Sequence, residues 1–197
     1  MSGLRERRHE ETKELLVDVA FGLFSGRGYG NVTMEEVAQA AGVSRSTAYR
    51  RFATKDDLVL EVPRRWLVAF DKAVSDLAAD TPLPDAVSAA TLAVAQHIDE
   101  HRNTVATAYA ILETAPSLQQ SGVATVAWLE RFVRLLEDFA APTRVPDPES
   151  ARTIAGAYLG AIDAMMQHWA LTGGTSSVAE SSQRLLDRLE PILSADS

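Results

Sequence analysis

The chain has no cysteine, which excludes a disulfide framework, a thiol nucleophile and a cysteine-ligated zinc site. No apolar run approaches the ~20 residues that cross a bilayer, and the first residues are charged, so neither a membrane span nor a secretory leader is expected. No segment alternates polar and apolar residues over a useful length, which removes strands. Without strands there is no glycine loop cradling phosphate between strand and helix. Nor is there a nucleophile elbow. His168, Asp163 and Ser182 are the residue types of a hydrolytic set, but nothing in their spacing joins them. An enzyme is not expected, and no cofactor is implied. Internal repeats and low-complexity tracts are also missing. What remains is an all-α protein expected in a reducing, cytoplasmic setting. Its 197 residues, 46% of them apolar, supply a real core for one moderate domain or two small ones.

Positive charge is scarce overall, with a net of −8, but it is unevenly spread. Residues 1–65 hold 11 Lys or Arg against 10 acids, whereas residues 66–197 hold 8 against 17. Phosphate binding needs a locally positive face rather than a positive protein. An acidic body behind a neutral-to-basic head favours one docking orientation.

The head is built around residues 33–52. Thr33 and Glu36 have the spacing of a capping box, and Val37, Ala38 and Ala41 lie at helical spacing on one face. Gly42 suits the positive φ of a tight turn, and Val43 plugs the angle that follows. Ser44 caps a second helix whose inner side is Ala48 and Phe52. Arg45, Ser46, Thr47, Tyr49, Arg50 and Arg51 are left mostly outside, a set of donors with no acid among them. The pattern predicts a helix-turn-helix with Ser44–Arg51 entering the major groove. Thr33, Tyr49 and Lys55 are the expected phosphate clamps, Lys55 beside a helix start capped by Thr54 and Asp57. Arg45, Ser46, Thr47 and Arg51 are the candidates for base edges, since arginine can fork onto guanine and a threonine methyl can meet thymine.

In front of this reader the spacing predicts a polar arm, Met1–His9, carrying Arg5, Arg7 and Arg8. Such an arm either lies along DNA or is a loose terminus. A scaffold helix from Glu10 to about Ser25 follows, with Leu16, Val19, Ala20, Leu23 and Phe24 inward.

Residues 10–60 resemble the DNA-binding domain of the TetR family of transcriptional regulators. The resemblance is carried by Phe24 and Gly28, by Thr33-x-x-x-Val37-Ala38-x-x-Ala41-Gly42-Val43-Ser44, and by Thr47-x-Tyr49-x-x-Phe52-x-x-Lys55-x-x-Leu58. It covers roughly a quarter of the chain. Arg50-Arg51 departs from the aromatic-then-His more usual in the family and makes the exposed face more basic. The resemblance implies a three-helix DNA-binding head, residues 1–55. A helical body, residues 56–197, would combine an effector pocket with a dimer interface, for about nine helices in all. The implied partners are a double-stranded operator with an inverted repeat, a small-molecule effector and a second copy of the chain. A helical ligand-binding or protein-interaction module that no longer reads DNA is the alternative.

Within the body, helices are predicted from Thr54 towards Ala79, Asp85–His101, Asn103–Thr114, Ser117–Ala140, Glu149–Leu171 and Ser177–Leu193, with Pro116, Pro142, Pro146 and Pro148 in the connections. Pro63 lies inside the first and marks either a hinge between head and body or a break between two ordinary helices. The last two helices are the expected interface. Ala155, Gly156, Leu159, Gly160 and Ile162 to Met166 on one, with Leu185, Leu186, Leu189 and Ile192 on the other, would form a four-helix bundle with a symmetry mate. Trp66, Phe70, Tyr109, Leu112, Trp128, Phe132, Tyr158, Met165, Met166 and Trp169 are either a pocket lining or plain core. Asp163 sits among apolar neighbours and pairs either with an effector or with a structural partner. His97 and His101, four apart beside Asp99 and Glu100, have metal-ligand spacing but lack a clear third ligand. They read as a solvated helix end, so no metal is expected.

Overall fold

The computed structural model describes residues 2–115, 118, 123–140 and 147–194. Among these residues there is no strand, and nine α-helices follow one another: α1 (Ser2–Arg27), α2 (Met34–Ala40), α3 (Arg45–Arg51), α4 (Lys55–Ser75), α5 (Leu83–Glu100), α6 (Arg102–Thr114), α7 (Val123–Phe139), α8 (Pro148–Leu171) and α9 (Val178–Ser194). A 3-10 turn, Tyr29–Asn31, joins α1 to α2. The expected all-α class is the class found. The chain divides into two compact units, Met1–Val62 with Asn103–Gln120, and Pro63–Arg102 with Ser121–Ser197. Pro63 stands at the crossing from one to the other.

In the first unit α1 buries Leu16, Val17, Ala20, Phe21 and Phe24, a stripe that keeps one face of a 3.6-residue period inward. The helix starts earlier than the expected Glu10, because Leu4–Glu11 contains no helix breaker. Arg7 lies three and four residues from Glu10 and Glu11, a spacing that supports an exposed helix. It stops at Gly28, whose φ of +81° is a region other residues avoid. Phe24 meets Phe21 and Tyr29 edge-on, at 5.5 and 5.1 Å between centroids. α2 packs on α1 and α3 on α2, burying Met34, Val37, Ala38 and Ala48 with Phe52 just beyond. Leu58, Val59 and Val62 of α4 are buried as well. Lys13 reaches from α1 to the buried Glu61 at 3.2 Å, which meets the need of a buried acid for a partner. α6 adds buried Val105, Ala108 and Ile111.

The turn between α2 and α3 explains the angle of the reader. The Gly42 amide donates to Gln39 O (3.1 Å) and the Val43 amide to Ala38 O (3.0 Å), the paired bonds of a Schellman closure, with Gly42 at φ +67° in the position that requires a left-handed backbone.

In the second unit α5 packs against α7 and α9, and α8 against α7 and α9. Its core gathers Phe70, Val87, Ala90, Phe132, Leu135, Leu136, Ala155, Tyr158 and Leu186. Arg131 of α7 forks onto Asp71 of α4, with Nε to Oδ1 at 2.7 Å and Nη2 to Oδ2 at 2.9 Å, and this pairing raises the Arg131 pKa. Asp147 caps α8 by accepting from the amides of Glu149 and Ser150, and Pro148 occupies the first helical turn, where its missing N–H costs nothing. Pro116, Pro142 and Pro146 lie outside the described residues, as do the side chains of Leu189 and Ile192. Leu186, expected at an intermolecular interface, is instead buried in its own protomer's core.

Candidate nucleic-acid interface and effector core

The expected capping box is present in full. Thr33 Oγ1 accepts from the Glu36 amide (3.2 Å) and Glu36 Oε2 from the Thr33 amide (2.8 Å). Arg27 Nη2 meets Glu36 Oε1 at 2.6 Å. The hydrogen bond from Arg27, then those from the Thr33 amide and hydroxyl, hold the Glu36 carboxyl at about 2. Ser44 caps α3 by accepting from the Thr47 amide (3.1 Å), and its Oγ lies 3.0 and 2.8 Å from the hydroxyls of Ser46 and Thr47. Ser44, Arg45, Ser46, Tyr49 and Arg50 are exposed, whereas Thr47 and Arg51 are half-buried.

Lys55 turns inward. Its Nζ donates to Tyr29 O at 2.7 Å and Val32 O at 3.1 Å and sits 4.1 Å above the Tyr29 ring. Two of its three ammonium protons are therefore used in bracing the turn before α2. Tyr29 in turn donates its hydroxyl to Asp56, and burial followed by that carboxylate raises the phenol's pKa.

One residue was absent from the sequence reading of this face. Glu35 of α2 projects onto α3, where its Oε1 lies 2.7 Å from Arg45 Nη2 and accepts from the Tyr49 hydroxyl at 3.0 Å. The Arg45 guanidinium stands 5.4 Å from the Tyr49 ring centre. Glu35's own backbone amide, then Tyr49 and Arg45, hold its carboxyl below the usual range. The outer side of α3 is acid-free in sequence, but in space it shares an acid with α2. Periodicity puts Glu35 at the edge of the inner face, one turn from Ala38; its contact with α3 depends on the turn angle.

Of the proposed pocket residues, Phe70, Phe132 and Tyr158 belong to the second unit's core, with Trp128 packed against it. Phe70 lies 5.5 Å from Trp128 and 5.3 Å from Phe132, which lies 4.8 Å from Tyr158. Thr91 gives its one proton to Val87 O (2.7 Å), so the 2.7 Å contact with Tyr158 is a bond donated by the phenol. Burial pushes Tyr158 up to about 12. A crevice of about 10 Å³ remains between Val87, Phe132, Leu136, Ile154, Ala155 and Tyr158, room for at most one water. Trp169 and Met166 are buried, and Trp169 Nε1 donates to Ser176 O at 2.9 Å. Met165 and Trp66 are half-buried. Tyr109 and Leu112 fall in the first unit. Asp163 does not sit in an apolar enclosure: it is exposed on α8 and accepts from Gln167 at 2.8 Å, because four residues along a helix returns to the same face.

Donor atoms of His97, Glu100 and His101 lie within 4.8 Å of one another. Asp99 points elsewhere, accepting from Ser177 Oγ and the amides of Val178 and Ala179 and pairing with Arg102. Burial alone would raise its pKa; these bonds outweigh it and lower it. Among the hydrolytic candidates Ser182 is buried, whereas Asp163 and His168 are exposed. No helix among the described residues is long and apolar enough to cross a membrane.

Residues 16–62 match the family of bacterial regulatory proteins, tetR family, and residues 81–194 match the MftR C-terminal domain family. The chain is 38% identical over 63 residues to an uncharacterized HTH-type transcriptional regulator of Haemophilus influenzae, a match covering 32% of this chain and 31% of that protein. It thus spans under a third of that relative's length. Over 172 residues it is 28% identical to MftR of Mycobacterium tuberculosis, provisionally assigned as a mycofactocin biosynthesis transcriptional regulator, covering 83% of this chain and 82% of that one. Among solved structures it is similar to Thermus thermophilus FadR, a TetR-family transcriptional repressor in complex with lauroyl-CoA. The TM-score is 0.66 at 19% identity, over 90% of this chain and 92% of that one.

Proposed function

From the premise that the chain belongs to the tetR family of bacterial DNA-binding transcriptional regulators, we propose that it acts as a homodimeric repressor that leaves a palindromic operator when a small molecule enters its body. The observation that carries this reading is the outer side of α3, where Ser44, Arg45, Ser46, Tyr49 and Arg50 are exposed on a helix whose angle is set by the Gly42 closure. In this reading residues 1–55 dock on DNA and residues 56–197 bind the effector and a second copy of the chain. Arg45, Ser46, Thr47 and Arg51 meet base edges. Lys55 meets a phosphate through its one remaining proton, whereas the hydroxyl protons of Thr33 and Tyr49, expected to do the same, go to Glu36 and Glu35 and leave those two residues holding the reader in place. Two heads then read half-sites one turn of duplex apart, roughly 34–36 Å. Exposure of Ile154 and Leu171, with Ala157, Gly160 and Ala164 between them on α8, supports this helix as the dimer surface, and a cytoplasmic setting follows from the DNA partner.

Support for an effector site in the second unit comes from its contiguous aromatic side chains with one polar handle, the Tyr158–Thr91 hydroxyl pair. Because that core is closed, an effector binds by separating side chains now in contact. Its preference for the opened state over the closed one then sets how far DNA is released.

Selection of duplexes from a random pool tests the function. An inverted repeat should be enriched, with affinity falling steeply as salt rises. No enriched motif and a flat salt response would overturn DNA reading in favour of a ligand-binding or interaction module.

A further inference from the structure

We infer that Glu35 is a positioning residue for operator reading: its carboxylate seats Arg45 and Tyr49 so that the arginine presents its remaining N–H groups to a base edge instead of straying to a phosphate. This rests on the DNA-binding function proposed above.

Three contacts converge on one point. Glu35 Oε1 takes both the Arg45 guanidinium (2.7 Å) and the Tyr49 hydroxyl (3.0 Å), and the guanidinium leans over the Tyr49 ring at 5.4 Å. Arg45 and Tyr49 are one helical turn apart on α3, so the carboxylate bridges two donors on the exposed side of the reader. At its own helix start Glu35 accepts from its own backbone amide but takes no part in the capping box. The capping box and the Arg27 pair both use Glu36.

A free arginine side chain on this surface samples many rotamers, and ordering it on a base would cost that freedom at the moment of binding. Held by Glu35 and the Tyr49 ring, it is ordered beforehand. Only one of its five N–H donors is needed for the 2.7 Å contact, and the rest of the fork stays available for the two acceptors of guanine. The carboxylate also cancels most of the charge that would draw Arg45 to any nearby phosphate. Sequence-independent binding is thereby lowered while reading at one base pair is kept. Exposed pairs of this kind amount to no more than roughly fivefold in an equilibrium constant, so Glu35 should tune specificity without deciding whether DNA binds.

The test uses the full chain and the operator recovered with it, as a set of duplexes substituted at each position, plus a scrambled duplex. Wild type, Glu35→Gln, Arg45→Ala and the double variant are compared, after circular dichroism shows that helix content and thermal midpoint are kept. Arg45→Ala should flatten preference at one base pair in each half-site. Glu35→Gln should flatten the same base pair and weaken operator binding about threefold to fivefold. It should also steepen the log–log salt slope on scrambled DNA by about 1–2, for one new phosphate contact per protomer. In the Arg45→Ala background Glu35→Gln should change nothing further. Tyr49→Phe, which removes one of the two donors and keeps the ring, should give a weaker effect of the same sign.

A gain in affinity for operator and scrambled DNA alike, in both Arg45 backgrounds, would show that Glu35 merely repels phosphate and would overturn the proposal. Loss of preference at a different base pair, or no change at all, would overturn it too. If wild type enriches no sequence, the DNA-reading function itself fails, and that outcome is distinct from any change confined to the Glu35 variant.

Discussion

At Thr33 a single hydroxyl accepts from the Glu36 amide and lies 2.9 Å from the Glu36 carboxylate. The residue expected at a phosphate is thus already holding the start of α2. Thr33→Ala should cost about 1 kcal/mol in urea unfolding, whether or not DNA is bound. The linked Glu36 has a definite pH signature. Its folded pKa, about 2, lies below its ordinary 4.5, so the folded state prefers the ionised form. The associated stability is fully present above about 4.5 and is lost as pH falls towards 2. Glu36→Gln should remove that part of the acid dependence between those values, read as a flatter midpoint-against-pH curve. At Arg45 the expected outcome concerns binding. Arg45→Ala should weaken operator affinity by roughly 1–3 kcal/mol while leaving the melting midpoint unchanged, because its side chain is 71% exposed.

Glycines and caps set where the elements stop. Gly42 has open space around a would-be Cβ, but its φ is +67°. Gly42→Ala should therefore be destabilising by about 1–2 kcal/mol through backbone strain alone, with no steric clash to relieve. Gly173, at φ +91°, ends α8 the same way, with its amide on Ala170 O and that of Gly174 on Trp169 O. Here the following helix gains a cap from outside its own chain neighbourhood. Asp99 of α5 holds the Ser177 hydroxyl and the first amides of α9, and Arg102 holds Thr175 O at 2.7 Å. Asp99→Ala should lower stability by about 1–2 kcal/mol, the usual cost of a lost cap, and a urea titration would show it. The capping box at Thr33, the Ser44 cap and the Gly42 stop were legible in residue order because each is a local motif within a few positions. The Asp99 cap was not, since it joins residues nearly 80 apart, and no local pattern announces it.

For the molecule as a whole, dimerisation on α8 is the prediction with the widest consequence. A Cβ at Gly160 would meet nothing within 4 Å in the single chain, so a large side chain there fits the protomer and can clash only with a second copy. Gly160→Arg should yield a folded monomer in sedimentation, with operator affinity reduced on the order of 100-fold through loss of the second half-site. A variant that stays dimeric would place the interface elsewhere. The charge imbalance belongs to this scale as well: in the proposed function it would keep the acidic residues 66–197 from coating DNA and leave the basic residues near α3 to dock.

Residue order alone determined the helical class, the positions of most helices, and the two-helix reader with its turn, because periodicity, capping spacing and a left-handed glycine are properties of neighbours in the chain. It also picked out the aromatic residues of the second unit. It did not distinguish pocket from core, and it placed Asp163 among apolar residues when the helix turns it outward. Tertiary packing decided that Phe70, Phe132 and Tyr158 close on one another, that Lys55 points inward to carbonyls, and that Glu35 from one helix completes the exposed side of the next. Each of these depends on the angle between elements, and that angle arises from how faces pack after the helices have formed.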